Sequence, residues 1–208
     1  PPTIEFNPSD RAFGFVRPES IDENGSIIPM DLSTGLLPTK TLVSQGSNYH
    51  SFPQIEFIGS DLEGSGAKGE VILEDGKIVG IKMSKDSSGQ YFKGRNYPAY
   101  KKLSGTVEIT KGMDLLVGKG SDFMNEILVG QPLLFSSLNS NSPDLSLGEI
   151  KVIGFQSQKE LLLKTGLTMP SGTYNLYTFG TELIVRGGMN TAASAIKLQK
   201  GNQLSLGL

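Results

Sequence analysis

Histidine occurs once in this chain, at His50, between Tyr49 and Ser51. An imidazole titrates near neutral pH and can serve as a general base or a pH sensor. No Ser–His–Asp constellation can be assigned around it. A metal site built on it would need carboxylates, because the chain has no cysteine. We read His50 as a structural or surface residue. The carboxylates offer a second chemistry. A glycosidase needs two carboxyl groups about 5–10 Å apart across a sugar. Glu56, Asp61, Glu63, Asp114 and Asp122 are the acids a fold could bring together. The adjacent pair Glu74-Asp75 precedes Gly76 and reads as turn chemistry.

Two Gly-Lys stretches, "GSGAKGE" and "LVGKGSD", invite a phosphate-loop reading. That loop needs Gly-x-x-x-x-Gly-Lys-Ser/Thr leading into a helix. Gly120, not Ser or Thr, follows Lys119, so both stretches read as loops and bulges. "GSDLEGSGAKG" mixes acids with glycines but fails the spacing of an EF-hand calcium loop. Lys93, Arg95, Lys101 and Lys102 form the densest basic patch, interleaved with Tyr91, Phe92, Tyr97 and Tyr100. Such a mixture suits single-strand binding or sugar stacking. With 19 basic against 21 acidic residues and a net charge of −2, the plainer reading is an edge strand protected by lysine. Arg186 follows an apolar strand and precedes Gly187-Gly188. Its rigid fork could clamp a carboxylate of a neighbouring subunit, but an exposed strand end is the simpler expectation. No catalytic, cofactor-binding or metal-binding residue is assigned.

The elements that must carry these residues are short. Apolar residues make up 37 % and Trp is absent, so thin sandwiches or barrels are expected rather than a deep core. The 26 glycines have no collagen period and read as turns. Residues 1–40 hold Pro1, Pro2, Pro8, Pro18, Pro29 and Pro38. Proline fixes φ and removes a ladder donor, so this part is read as an extended arm leaning on a neighbouring surface, with a strand or two. The chain begins Pro1-Pro2, without an initiator Met, and is expected to be processed or cut from a longer polypeptide. No signal peptide is recognised. No apolar run approaches the ~18 residues that span a bilayer. The lack of cysteine suits a reducing compartment.

From residue 41 the pattern changes. In "GEVILEDGKIVGIKM" two β-runs flank Asp75-Gly76, a hairpin signal because a type I′ turn needs φ > 0 at both central residues. From 104 onward "GTVEIT", "DLLVG", "PLLFSS", "GEIKVIGF", "KELLLK", "YNLYTF" and "TELIVRG" have strand length, and Gly, Asn, Pro or Ser separates most of them. Ser121 or Asp122 is placed to cap one helical turn carrying Phe123 and Ile127. "NTAASAIKLQKG" is the other short helical candidate. Residues 136–148 form the longest polar connection and are expected to be mobile. The expected fold is all-β: two small β-sandwich or barrel modules, a Gly-rich one at 41–103 and a second at 104–208, behind the extended N-terminal arm 1–40.

Three stretches within about 45–205 resemble recurring β-modules of contractile-tailed bacteriophage virion proteins. In the longest, Gly118, Gly120, Ser121, Phe123, Leu128, Val129, Gly130, Gly148, Glu149, Leu161 and Leu163 fit the pattern, with Gln131 where the family often has Asp. A second stretch, Leu183, Val185, Arg186, Gly187, Thr191, Ala192 and Ala193, is similar to a phage tail motif, with Ile196 near the usual His. A third, "GSNYHSFPQIEF" through "GSGAKGEVILEDGKIVGIKM" to "GQY", is similar to Gly-Tyr and Gly-Ala units of baseplate and tail-fibre proteins. The resemblance implies a non-enzymatic structural protein of the virion (baseplate, tail or fibre attachment), assembled in the host bacterial cytoplasm. Its partners would be other virion subunits or further copies of itself, with no nucleic acid, membrane insertion or cofactor. The alternatives are a receptor- or carbohydrate-binding module, stacking a host-surface glycan on Tyr91, Tyr97 and Tyr100, and a head decoration or neck protein laced on by the arm.

Overall fold

The computed structural model describes residues 11–188. It is all-β, as expected. The strands are β1 (Ala12–Phe15), β2 (Leu42–Gln45), β3 (Gln54–Gly59), β4 (Ser65–Ala67), β5 (Gly69–Glu74), β6 (Lys77–Met83), β7 (Lys93–Arg95) and β8 (Tyr100–Lys102). They continue with β9 (Thr106–Ile109), β10 (Leu115–Lys119), β11 (Pro132–Ser136), β12 (Ile150–Ser157), β13 (Glu160–Leu163), β14 (Gly172–Phe179) and β15 (Thr181–Arg186). One helical turn, α1 (Phe123–Glu126), interrupts the second half.

Strands β9 to β14 form a closed antiparallel barrel, in the order β11-β12-β13-β10-β9-β14, with β14 pairing back onto β11. Closure leaves these six strands no free edge within the barrel. Alternating residues fill the inside, among them Val107, Leu116, Phe135, Leu161 and Leu176. Phe123 of α1 joins this core, fully buried, with its ring against Gly118. The helical turn therefore stands where the sequence placed it. Asp122 occupies the cap position, but its carboxylate accepts no backbone N–H there. It binds the Asn125 and Gln158 side chains instead, at 2.7 and 3.0 Å.

The other lobe is built on a four-stranded antiparallel sheet, β2-β1-β15-β3. One face of this sheet carries Phe57, Leu183 and Val185, which pack with Val71, Ile78, Ile81 and Met83 of the β5–β6 hairpin. That hairpin turns at Asp75 and Gly76, with φ of 48° and 73°. Both central residues take the left-handed conformation that a type I′ turn demands. Phe15, from the opposite face, packs with Leu134, Tyr177 and Phe179 of the barrel's outer surface, and Phe13 borders this cluster. The sheet is thus covered on both sides, and its second face joins the lobes.

Elements cross the boundary expected at 103/104 in both directions: β8 extends the barrel's sheet by pairing with β14, and Leu103 packs in the barrel core. Strand β15 lies in the stretch expected to belong to the second module, yet it sits centrally in the first lobe's sheet, between β1 and β3. Period-2 alternation fixes which face a strand buries, not which strand it pairs with. Residues 11–40 also differ from a free arm. Val16, Ile27 and Leu37 are buried in the first lobe, so this segment leans on its own chain. The prolines restrict it to one short strand without keeping its apolar side chains out of the core. The earlier part of the arm, 1–10, lies outside the described residues. So does the second helical candidate, "NTAASAIKLQKG", together with Thr191, Ala192 and Ala193.

Gly180 makes the passage between lobes. It sits between β14 and β15, donates its N–H to Ala99 O at 2.9 Å and accepts from Ser60 N at 2.8 Å. A Cβ there would lie 2.7 Å from Pro98 O and 2.8 Å from Tyr100 backbone atoms. Only glycine allows that approach.

Candidate functional site: a cleft between the lobes

The residues singled out for chemistry are distributed rather than gathered. His50 is exposed, and its backbone N–H donates to Gly188 O at 2.8 Å. Glu74 and Asp75 stand at the hairpin turn, at the end of β5. Asp61 accepts from Glu63 N at 3.1 Å and organises its own loop. Arg186 donates to Glu56 at 2.7 Å, and both side chains are half exposed or more. This is a cross-strand surface pair, worth little in stability. Among the described residues, no three His, Cys, Asp or Glu side chains are grouped so as to hold a metal ion, and no helix is long and apolar enough to cross a membrane.

The tyrosine platform does not assemble. Tyr97 is a core residue of the first lobe, 3 % exposed, with its ring edge-on to Phe57. Tyr91 is half-buried, donates to Leu32 O at 2.9 Å and lies under Lys85. Tyr100 borders the interlobe core, and burial raises its pKa. Lys101 and Lys102 lie on β8, which pairs with β14 alone and ends the sheet. They fit the expected lysine-protected edge. The 136–148 connection, expected to be mobile, is tied to the barrel. Asn175 Nδ2 donates to Ser137 O and Leu138 O at 3.0 and 3.2 Å, and Asp144 N donates to Phe135 O at 2.7 Å.

What the fold does bring together is a cleft of about 320 Å³ at the lobe junction. From the barrel, α1 and the residues after it supply Met124, Glu126, Ile127, Leu128 and Gln131. From the sheet side come Ile58, Leu62 and Glu182, with Phe15 and Phe179 of the interlobe core below. Leu62 is 81 % exposed, Met124 54 % and Leu128 45 %. These aliphatic side chains stand exposed around one concavity rather than in a core.

The barrel wall of the cleft is firmly held. Gln131, 4 % exposed, accepts from Leu128 N at 2.8 Å and donates to Thr178 Oγ1 at 2.5 Å. Thr178 in turn donates to Pro132 O at 3.0 Å. The Glu126 carboxylate accepts from Ser104 N and Ser104 Oγ, tying α1 to the break between β8 and β9. Glu182 is different. It lies on β15 opposite Phe15, and no described residue hydrogen-bonds its carboxylate. Burial raises its pKa above the ordinary value of 4.5, and the charge of Lys101 only partly offsets this.

Glu182, Leu62 and Met124 were not singled out in the sequence, and Leu128 entered only through the resemblance. A signal was nevertheless present in "TELIVRG". Leu183, Ile184 and Val185 are consecutive apolar residues, the mark of a strand covered on both faces. Such a strand places Glu182 beside Ile184 on a face that is also covered. The chain was compared with family models, with curated proteins and with solved structures, and none matched.

Such a cleft offers an aliphatic seat, one carboxylate short of partners and a hydrogen-bonded barrel wall. That suits a side chain or backbone segment of another protein. A sugar site would present aromatic faces, whereas the exposed rim here is Leu and Met and the two phenylalanines are buried.

Proposed function

We propose that this chain is a non-enzymatic structural subunit of a tailed-phage virion, of the baseplate, tail or fibre-attachment kind, acting through subunit–subunit interfaces. The observation that carries the reading is the exposed aliphatic rim of Leu62, Met124 and Leu128 around a cleft between the two β-lobes. The virion assignment rests on the sequence resemblance. The cleft adds a physical reason for assembly. Of the residues that carry the longest resemblance, Leu128 lines that cleft, beside Gln131 where the pattern often has Asp. Burying such a rim against a partner returns about 25 cal/mol for each Å² of apolar surface.

Immunogold electron microscopy tests the reading, with antibody to this chain on particles from the source culture. The expected result is label at one position on the tail or baseplate. Intact particles that carry no label, under conditions exposing all surfaces, would overturn it.

A further inference from the structure

The cleft has a charge imbalance that points to its occupant. Its lining carries Glu126, Glu182 and Lys101. Glu126 is engaged by Ser104, and Lys101 makes no ion pair within 4.0 Å of Glu182. A ligand for this site should bring aliphatic side chains for the rim and a cation for Glu182. Two stretches of the chain lie outside the described residues. Residues 1–10 contain Glu5 and Asp10 and no Lys or Arg. Residues 189–208 contain Lys197 and Lys200 and no Asp or Glu, with Ile196 and Leu198 flanking the first lysine. Only the second has the complementary chemistry.

Strand β15 leads away from the cleft. Gly188 lies six residues beyond Glu182, or about 20 Å along an extended chain. Its carbonyl is held there by His50 N and Ser51 N at 2.8 and 3.3 Å. Gly188, the last described residue, stands at the far end of the sheet from the cleft.

We propose that the cleft receives the C-terminal segment of a second copy of this chain, with Lys197 and Lys200 answering Glu182 and with Ile196 and Leu198 seated on Leu62, Met124 and Leu128. This deepens the subunit reading, on which it rests for taking the partner to be another subunit. The contact is heterologous, since the segment and the cleft are different surfaces. Repeating it produces a ring if the rotation closes and a filament if it does not.

Analytical ultracentrifugation of the full chain over a range of concentrations is the test. Wild type is expected to associate as concentration rises. Glu182→Lys alone, and Lys197→Glu with Lys200→Glu in a second chain, should each weaken association by about tenfold or more. An equimolar mixture of the two variants should restore it, because each cleft then meets a segment of opposite charge. Restoration also shows that both variants are folded, and Glu182→Gln supplies a milder variant expected to weaken association without charge repulsion. A wild type that stays monomeric overturns the proposal, as does association indifferent to Glu182→Lys or a mixture that restores nothing. The outcome is independent of particle labelling. A chain that associates through Glu182 yet labels no particle would keep this inference and sink the virion reading.

Discussion

At the scale of single residues, Glu182 is the most informative. Desolvation disfavours the charged form of a half-buried carboxylate that has no hydrogen bond. Its folded pKa is raised, so folding is favoured when the group is protonated. The cost is absent below the ordinary value of 4.5 and grows as pH rises through the raised folded value. Glu182→Gln removes the ionisation. The variant should therefore melt higher than wild type at pH 7, and the gap should close as pH falls to about 4. The group is only half buried, so solvent screening keeps the gain to about 1–3 °C. Thermal melts of both proteins from pH 4 to pH 8 check this, and a gap independent of pH would show that the charge is not what matters. A variant that is more stable alone but weaker in association is the signature of a residue retained for binding. Gln131 shows why such residues are hard to read from sequence. It departs from the resembling pattern, yet both ends of its amide are engaged, the oxygen by Leu128 N and the nitrogen by Thr178 Oγ1. Tyr97 shows the converse: its basic and aromatic neighbours marked it for a surface, and Phe57 holds it in the core.

At the scale of elements, local chemistry was legible where it sufficed. Asp75-Gly76 defines its hairpin because few residues tolerate the required φ. The single turn of α1 was legible because Phe123 and Ile127 lie four apart, on one side of a helix. Pairing was not legible for β15, because its partners β1 and β3 are more than a hundred residues away in sequence and alternation carries no address. The joint that lets β15 leave the barrel is Gly180, and its role can be measured. In Gly180→Ala the new methyl meets the carbonyl of Pro98 and the backbone of Tyr100, neither of which is the free end of a side chain. Strand β8 must shift off β14, or the joint must open. Overpacking of this kind costs about 1–3 kcal/mol. Urea denaturation should show a lower midpoint of about that size, and the loss of the Gly180 N to Ala99 O bond should speed hydrogen exchange at that amide. An unchanged midpoint would mean that the junction yields freely, and a cleft with a yielding junction would not be preformed.

At the scale of the whole molecule, two separate apolar cores are linked by a third. The barrel core and the sheet–hairpin core share no residue. Phe15, Leu134, Tyr177 and Phe179 lie between them. The continuous run from β14 through Gly180 into β15 binds the lobes covalently, and the small interlobe core, with the Arg17–Glu149 ion pair at 2.9 Å, joins them non-covalently. Phe179 is its best lever. It is 4 % exposed, lines the cleft, and carries the Arg17 guanidinium 4.6 Å from its ring centre. Wild type is expected to unfold in a single transition, with calorimetric and van't Hoff enthalpies equal. Phe179→Ala removes a buried ring, which costs about 3–5 kcal/mol, and that loss falls on the contact between lobes rather than on either main core. The variant should therefore unfold in two steps, one lobe before the other, because each keeps its own core intact. A single transition merely shifted to lower temperature would mean that β14 and β15 couple the lobes without the aromatic cluster. In that case the cleft would keep its walls when its floor is lost, and Phe179→Ala would leave self-association intact. If instead the transition splits, association should fall with it, because the rim residues Leu62 and Met124 belong to different lobes and face one partner only while the lobes are held together.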